Sequence, residues 1–282
     1  MRFSVIGGDA RLAALARALL EDGHNVSVYA SAGRFPGGTA EDMGDSLRGA
    51  DCVVLPLPLY DGEGRLNAPS AARPVWPEDV AAAIEPGQLV FAGMPDETFM
   101  KAVRGKGAQP FDYARREDFA LRNAALTAEG AVARLIEGAP FALSGERCLV
   151  AGFGRIGRAL SFRLRALGAC VTVYARKSAD RAEAASAGLS AVGDKALAEA
   201  FAASRVVVNT VPARIFGAEL AGEKRPGTFL LDLASAPGGF DPALKAEKAP
   251  GLPGKTAPES AGRAILAAVY EIMEEQKREE RT

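Results

Sequence analysis

The chain has 282 residues, 48% of them hydrophobic and 24% charged, with 34 lysines and arginines against 35 aspartates and glutamates. That length exceeds one ordinary domain, and the balanced charge excludes the strongly basic field of a nucleic-acid or anionic-membrane binder. No apolar run approaches the roughly 20 residues of a membrane helix, so the expectation is a cytoplasmic protein of two globular domains acting on a small molecule, with no membrane and no nucleic acid as partner.

Phe3-Ser4-Val5-Ile6 reads as a short apolar strand, reached directly after Met1-Arg2. The glycine turn Gly7-Gly8-Asp9-Ala10-Arg11-Leu12 and an amphipathic helix stopping at Gly23 follow, then a second strand from Val26 to Tyr29. His24, just past a helix end, occupies an ordinary C-terminal position and is not expected to act as a catalyst. Asp51 to Pro58, and Leu89-Val90-Phe91 after Pro86-Gly87, continue the strand series. From Thr127 to Gly138 the pattern predicts an interdomain helix, capped by Thr127 and stopped by Gly138. Gly130 in its first turn is costly relative to alanine and points to close approach by a ligand or neighbour.

Cys148-Leu149-Val150-Ala151 then leads into Gly152-Phe153-Gly154-Arg155-Ile156-Gly157, the dinucleotide fingerprint in its strand-turn-helix setting. Gly152 permits the tight turn, Gly154 lets backbone approach a pyrophosphate, and Gly157 lets helix and strand pack closely; Arg155 and Ile156 complete the first helical turn, whose N–H groups and dipole favour phosphate. The next strand, Val171 to Tyr174, runs into Ala175-Arg176-Lys177-Ser178, with no carboxylate before Asp180. An NAD-preferring site usually places an acid here. Arg176 and Lys177 can pair with a 2′-phosphate and Ser178 can donate to it, which favours NADP(H) over NAD(H); a solvated basic turn is the plainer alternative.

Asn209-Thr210-Val211-Pro212 and the segment from Asp232 to Ser235 stand at the carboxyl ends of further strands, where ligands of open α/β sheets bind. Asn209 is expected near a ribose, with Thr210, Val211 and Pro212 beside it, and Asp232 and Ser235 near the nicotinamide; capping is the rival explanation. Thr256-Ala257-Pro258-Glu259 opens a final helix with Ala261, Ala264, Ile265, Ala268 and Ile272 on one face, expected to cross back to the first domain before a frayed, charged tail from Glu274 to Thr282. Cys52, Cys148 and Cys170 lack C-x-x-C spacing and are expected to be buried free thiols, and no metal-ligand constellation is present.

The two halves repeat one another. Val5, Gly7, Gly23, Val26, Val28, Tyr29 and Ala30 recur 145 residues later as Val150, Gly152, Gly168, Val171, Val173, Tyr174 and Ala175. The fold class is therefore expected to be α/β, two tandem Rossmann-like doubly wound parallel-sheet domains with an interdomain cleft. Residues 1–138 form the first domain with the interdomain helix, 139–256 the cofactor domain, and 257–282 the returning helix. In the first copy Asp9 replaces Gly154 and Leu12 replaces Gly157, so that domain is expected to hold substrate and no dinucleotide.

The turn Gly7-Gly8-Asp9-Ala10-Arg11, Asn123 with Thr127-Ala128-Glu129-Gly130, Gly152 to Gly157, the run Asp232-Leu233-Ala234-Ser235-Ala236-Pro237-Gly238-Gly239, and Ala249-Pro250-Gly251-Leu252-Pro253-Gly254 together resemble the dipicolinate synthase A-subunit family across nearly the whole chain. Leu126 departs from the proline expected before the threonine. The resemblance implies oxidation of a dihydrodipicolinate-type intermediate of the lysine pathway to pyridine-2,6-dicarboxylate, in the mother-cell cytoplasm of a sporulating bacterium, together with a flavoprotein-like B subunit. Such a dicarboxylate substrate calls for Arg11, Arg116 and the helix start at Thr127 to Gly130, with Asn123 nearby. Arg11 and Arg116 also read as surface charges and Thr127 as a cap. Asp9 or Glu129 is expected to take the proton. Two rivals stay open: an NADP-binding assembly subunit for a flavin-carrying partner, and a generic hydroxy-acid or amino-acid dehydrogenase, against which stands the lack of a plausible catalytic histidine. A homo-oligomer also stays open.

Overall fold

Residues 2–6 form β1 (Arg2–Ile6), with Phe3 and Val5 turned to one face, Ser4 and Ile6 to the other, and all four buried. A strand buried on both faces belongs in a parallel sheet layered between helices. The computed structural model, which describes residues 1–32, 35–36 and 38–279, builds two such sheets.

In the first, α1 (Ala10–Glu21), β2 (Asn25–Tyr29), α2 (Met43–Leu47), β3 (Cys52–Val54), α3 (Pro77–Ala83), β4 (Leu89–Ala92), α4 (Glu97–Gly105) and β5 (Gln109–Asp112) follow β1. The strand order is β2-β1-β3-β4-β5, all parallel, so the chain reverses its winding between β1 and β3. Phe3, Val5, Leu12, Leu15 and Phe91 fill one face, and Ile6, Val53, Leu55, Val80 and Phe99 the other.

After α5 (Glu117–Gly138), the second sheet is laid down by β6 (Arg147–Ala151), α6 (Arg155–Ala166), β7 (Cys170–Tyr174), α7 (Ser178–Ser186), β8 (Ser190–Val192), α8 (Leu197–Ala203), β9 (Val206–Asn209), β10 (Phe229–Asp232) and β11 (Glu247–Lys248). Its order, β11-β10-β9-β6-β7-β8, is again parallel and reverses between β6 and β9. The repeat survives in three dimensions: β6, α6 and β7 begin at Arg147, Arg155 and Cys170, each 145 residues after Arg2, Ala10 and Asn25, and end at the same offset. Two α/β parallel-sheet domains are thus the architecture. The chain closes with α9 (Leu252–Thr256) and α10 (Pro258–Glu279), and no helix among the described residues is long and apolar enough to cross a membrane.

Four expectations shift. The unit boundaries fall at 123/124 and 252/253, so one unit is Met1–Asn123 with Pro253–Thr282 and the other Ala124–Leu252. The reason is burial: Ala128, Ala131 and Leu135 of α5 enter the second core, where a fully buried leucine contributes about 1.5–3 kcal/mol, while α10 packs along α1 in the first. The helix expected to start at Thr127 starts at Glu117, two acids in its first turn favouring the positive helix end, and runs unbroken to Gly138. Leu126 therefore lies mid-helix and not in a loop. Cys170 is exposed, because Val171 and Val173 take the core-facing positions of β7 and leave it at the strand's open end; Cys52 and Cys148 are buried, and burial pushes both thiols up to about 12. The charged tail stays helical to Glu279, and residues 280–282 lie outside the described residues.

Candidate dinucleotide site

The fingerprint glycines each meet a different steric demand. Gly152 has φ 98°, and a β-carbon there would collide with Thr210 Oγ1 and approach Val211 Cγ2 to 2.9 Å. A β-carbon on Gly157 would overlap the Gly152 carbonyl oxygen, so only glycine lets α6 close onto the turn. Gly154 is the opposite case: an added β-carbon would meet nothing within 4 Å. It stands at the N-cap of α6 without a side-chain cap, leaving the helix start open to an anion. Ile156 packs on the second core, and Arg155 is exposed at the first position of the helix.

The same turn in the first unit is filled from within. Asp9 caps α1, accepting from the Arg11 N–H at 3.0 Å, and Gly8 N–H donates to Asn67 O at 2.8 Å. Leu12, in the place of Gly157, is 1% exposed and lies where a β-carbon on Gly8 would strike it at 2.7 Å. Arg11 is buried and not a surface charge. Its Nε lies 2.9 and 3.1 Å from the two Asp9 oxygens, its Nη2 donates to Asp9 Oδ2 at 2.9 Å and to Leu57 O at 2.5 Å, and the pair rests against Gly254. Both carboxylate oxygens of Asp9 are thus engaged by the Arg11 guanidinium.

Around the second turn, Thr210 donates its hydroxyl to Ala151 O at 2.8 Å beside Gly152, Val211 is half-buried and Pro212 exposed. Arg176, Lys177 and Ser178 stand exposed where β7 passes into α7. A third cation, Arg181, supports this loop from α7, donating to Ala175 O at 2.8 Å and Arg176 O at 2.6 Å. Sequence reading passed over it because it lies within a helix, beyond the turn that the fingerprint marks. At the end of β7, Asp194 accepts from Tyr174 Oη at 2.6 Å, and burial together with that acid pushes the phenol up to about 12.

Several expected contacts are redirected. Asn209 is fully buried and Asp232 nearly so: Asn209 Nδ2 donates to Asp232 Oδ1 at 2.8 Å and to Val211 O at 2.9 Å, while Asp232 also accepts from the Gly239 and Ala234 amides. They brace the loops after β9 and β10, and a buried pair of this kind is stabilised by satisfying each polar atom. Ser235 is exposed on that loop. Thr127 and Gly130 are buried within α5, so their N–H groups are used by the helix and form no free N-terminus, and Asn123 is half-buried on the same helix. Glu129 pairs with Arg163 at 3.1 Å. Arg116 is enclosed by Asp118, Glu271 and Glu275 at 3.1, 3.2 and 2.7 Å, which takes up its guanidinium. His24 precedes β2, at the amino edge of its sheet, with Nε2 3.0 Å from Tyr270 Oη.

A glycine turn with an uncapped helix start, at the end of a parallel-sheet strand, defines the second unit as a dehydrogenase-like nicotinamide-dinucleotide domain. Residues 122–230 match the family model of the D-isomer specific 2-hydroxyacid dehydrogenase NAD binding domain, and residues 2–114 that of the N-terminal domain of the dipicolinate synthase A subunit. The chain is 30% identical to the dipicolinate synthase A subunit of Bacillus subtilis (strain 168), over 99% of its own length and 98% of the relative's. Crystal structures of the dipicolinate synthase A subunit from Bacillus halodurans and from Bacillus subtilis superpose with TM-scores of 0.82 and 0.82 at 27% and 28% identity, covering 96% and 99% of this chain and 97% of each of theirs. This chain belongs to the dipicolinate synthase A-subunit family.

Proposed function

We propose that this chain is the NADP-dependent dehydrogenase subunit that oxidises a dihydrodipicolinate-type intermediate to pyridine-2,6-dicarboxylate, working with a flavoprotein-like B subunit in the mother-cell cytoplasm of a sporulating bacterium. The observation that carries it is the contrast between the two glycine turns: the second is open at Gly154, and the first is plugged by Asp9, Leu12 and Asn67. One unit is thereby free to hold substrate while the other holds the nucleotide. Gly152, Gly154 and Gly157 would seat the pyrophosphate, and Arg176 and Lys177, propped by Arg181, would meet the 2′-phosphate. The bound nucleotide supplies a hydride acceptor. The ring loses one hydride and one proton, and because aromaticity drives the step, orientation matters more than a strong base.

A second reading, a nucleotide-binding assembly subunit whose flavin-carrying partner performs the oxidation, draws support from the ion pairs that occupy both candidate bases, Asp9 with Arg11 and Glu129 with Arg163. Purified chain, by itself and with its candidate B subunit, separates the two when given the intermediate and either NADP or NAD while pyridine absorbance is followed. Formation of the pyridine with NADP that requires this chain is the expected result. Oxidation that proceeds equally when only the B subunit is present, or no oxidation under any combination, removes the dehydrogenase assignment.

A further inference from the structure

At the carboxyl edge of the first sheet, Met94 follows β4 with φ 60° and is 62% exposed. A β-carbon is disfavoured in that left-handed region, which glycine, asparagine and aspartate ordinarily occupy. Of the three non-glycine residues with positive φ among the described residues, Ala30 and Lys245 carry a small and a charged side chain, and Met94 exposes a large apolar one. Strain of this kind persists only where the surroundings enforce it. Here Gly93 is pressed against Leu57, whose Cβ would lie 2.6 Å from an added β-carbon, and Leu59 N–H donates to Gly93 O at 2.7 Å. The Met94 N–H donates to Asp112 Oδ1 at 3.0 Å. Asp112, its side chain 8% exposed, also accepts from the Ala114 N–H at 2.9 Å and pairs through Oδ2 with Arg115 Nε at 3.2 Å. Arg115 is itself 85% exposed, in contrast to the enclosed Arg116 beside it. One buried carboxylate therefore holds the backbone N–H of Met94 and the guanidinium Nε of Arg115, two residues whose side chains are exposed.

The fold asks for neither side chain: glycine at 94 would relieve the backbone, and Arg115 faces solvent. We propose that Met94 and Arg115, joined through Asp112, form the seat of a planar aromatic carboxylate. The thioether lies against the ring, and the outer edge of the guanidinium pairs with a carboxylate. This rests on the reading of the chain as the oxidase of a dihydropyridine dicarboxylate, whose product supplies the probe.

Pyridine-2,6-dicarboxylate is titrated calorimetrically into the full chain loaded with NADPH, and into Met94→Gly, Arg115→Gln and Arg115→Lys forms, with the melting temperature and NADPH affinity of each recorded. Arg115→Gln is expected to weaken the dicarboxylate about tenfold, and Arg115→Lys to recover only part, since an ammonium lacks the planar fork. Met94→Gly should weaken it severalfold while melting no lower than the parent, an outcome that a purely structural role for Met94 would not give. NADPH affinity should stay within about twofold throughout, since none of these residues lies in the nucleotide unit. Variants that bind the dicarboxylate like the parent overturn the seat and leave the dehydrogenase reading standing. A parent chain that neither binds the dicarboxylate nor oxidises the dihydropyridine overturns both.

Discussion

Arg176 and Lys177 stand exposed at the end of β7, where an NAD-preferring protein usually holds an acid, and Arg181 fixes the backbone that presents them. Because Arg176 is solvated, its pairing with a 2′-phosphate is screened, and Arg176→Ala should cost NADPH only about 0.5–1 kcal/mol, roughly two- to fivefold in affinity. NADH affinity should barely change. Fluorescence titration of both nucleotides checks this, and an equal loss for the two would assign Arg176 to the pyrophosphate or to folding. The fingerprint glycines, by contrast, were readable residue by residue, since each answers a local steric requirement that their spacing already encodes. Asp9 and Arg11 were readable as residues but not as a pair: that they would close on one another, with Leu57 O and Gly254 alongside, depends on segments far apart in sequence.

At the level of elements, α1 and α10 meet through Gly262. An added β-carbon there would come within 2.5 Å of Arg11 O and 2.8 Å of Leu15 N, both backbone atoms that cannot rotate aside. Gly262→Ala should therefore force the two helices apart and destabilise the first unit by about 1–3 kcal/mol, lowering its melting temperature by several degrees. Differential scanning calorimetry reads this directly, and an unchanged transition would mean that the helices slide without cost. The apolar stripe Ala261, Ala264, Ile265, Ala268 and Ile272 announced a buried face for α10 in the sequence, and all five residues are buried. The start of α5 was misjudged for a physical reason. Thr127 has the chemistry of a cap, yet Phe119, Ala120, Leu121, Ala124, Ala125 and Leu126 before it extend a favourable helix, and Phe119 is anchored in the first core. Tertiary burial at both ends of the helix outweighs one residue's preference for a terminus.

For the whole molecule, the duplicated architecture with a single open glycine turn leads to one expected stoichiometry. Isothermal titration should give one NADPH per chain, since the first unit's turn already spends its Gly8 N–H on Asn67 O and places a carboxylate where a pyrophosphate would sit. Two equivalent sites per chain would end the division of labour between the units. The sequence by itself determined the duplication, the parallel α/β class, the position of the dinucleotide turn and the family, because these are written in local spacing: glycines at turn positions, apolar residues at strand and helix periods, and a repeat at a constant offset. Only the tertiary structure decided which polar residues are available. Asn209, Asp232, Asp9, Arg116 and Glu129 all looked available for chemistry, and each is bound to a partner, several of them distant in sequence, whereas Arg176, Lys177 and Ser178 stand exposed, as do the side chains of Met94 and Arg115, which no motif marks. The physical reason is that the availability of a side chain depends on what other segments bring to its atoms, and long-range pairing of charges and hydrogen bonds leaves no periodic trace in the chain.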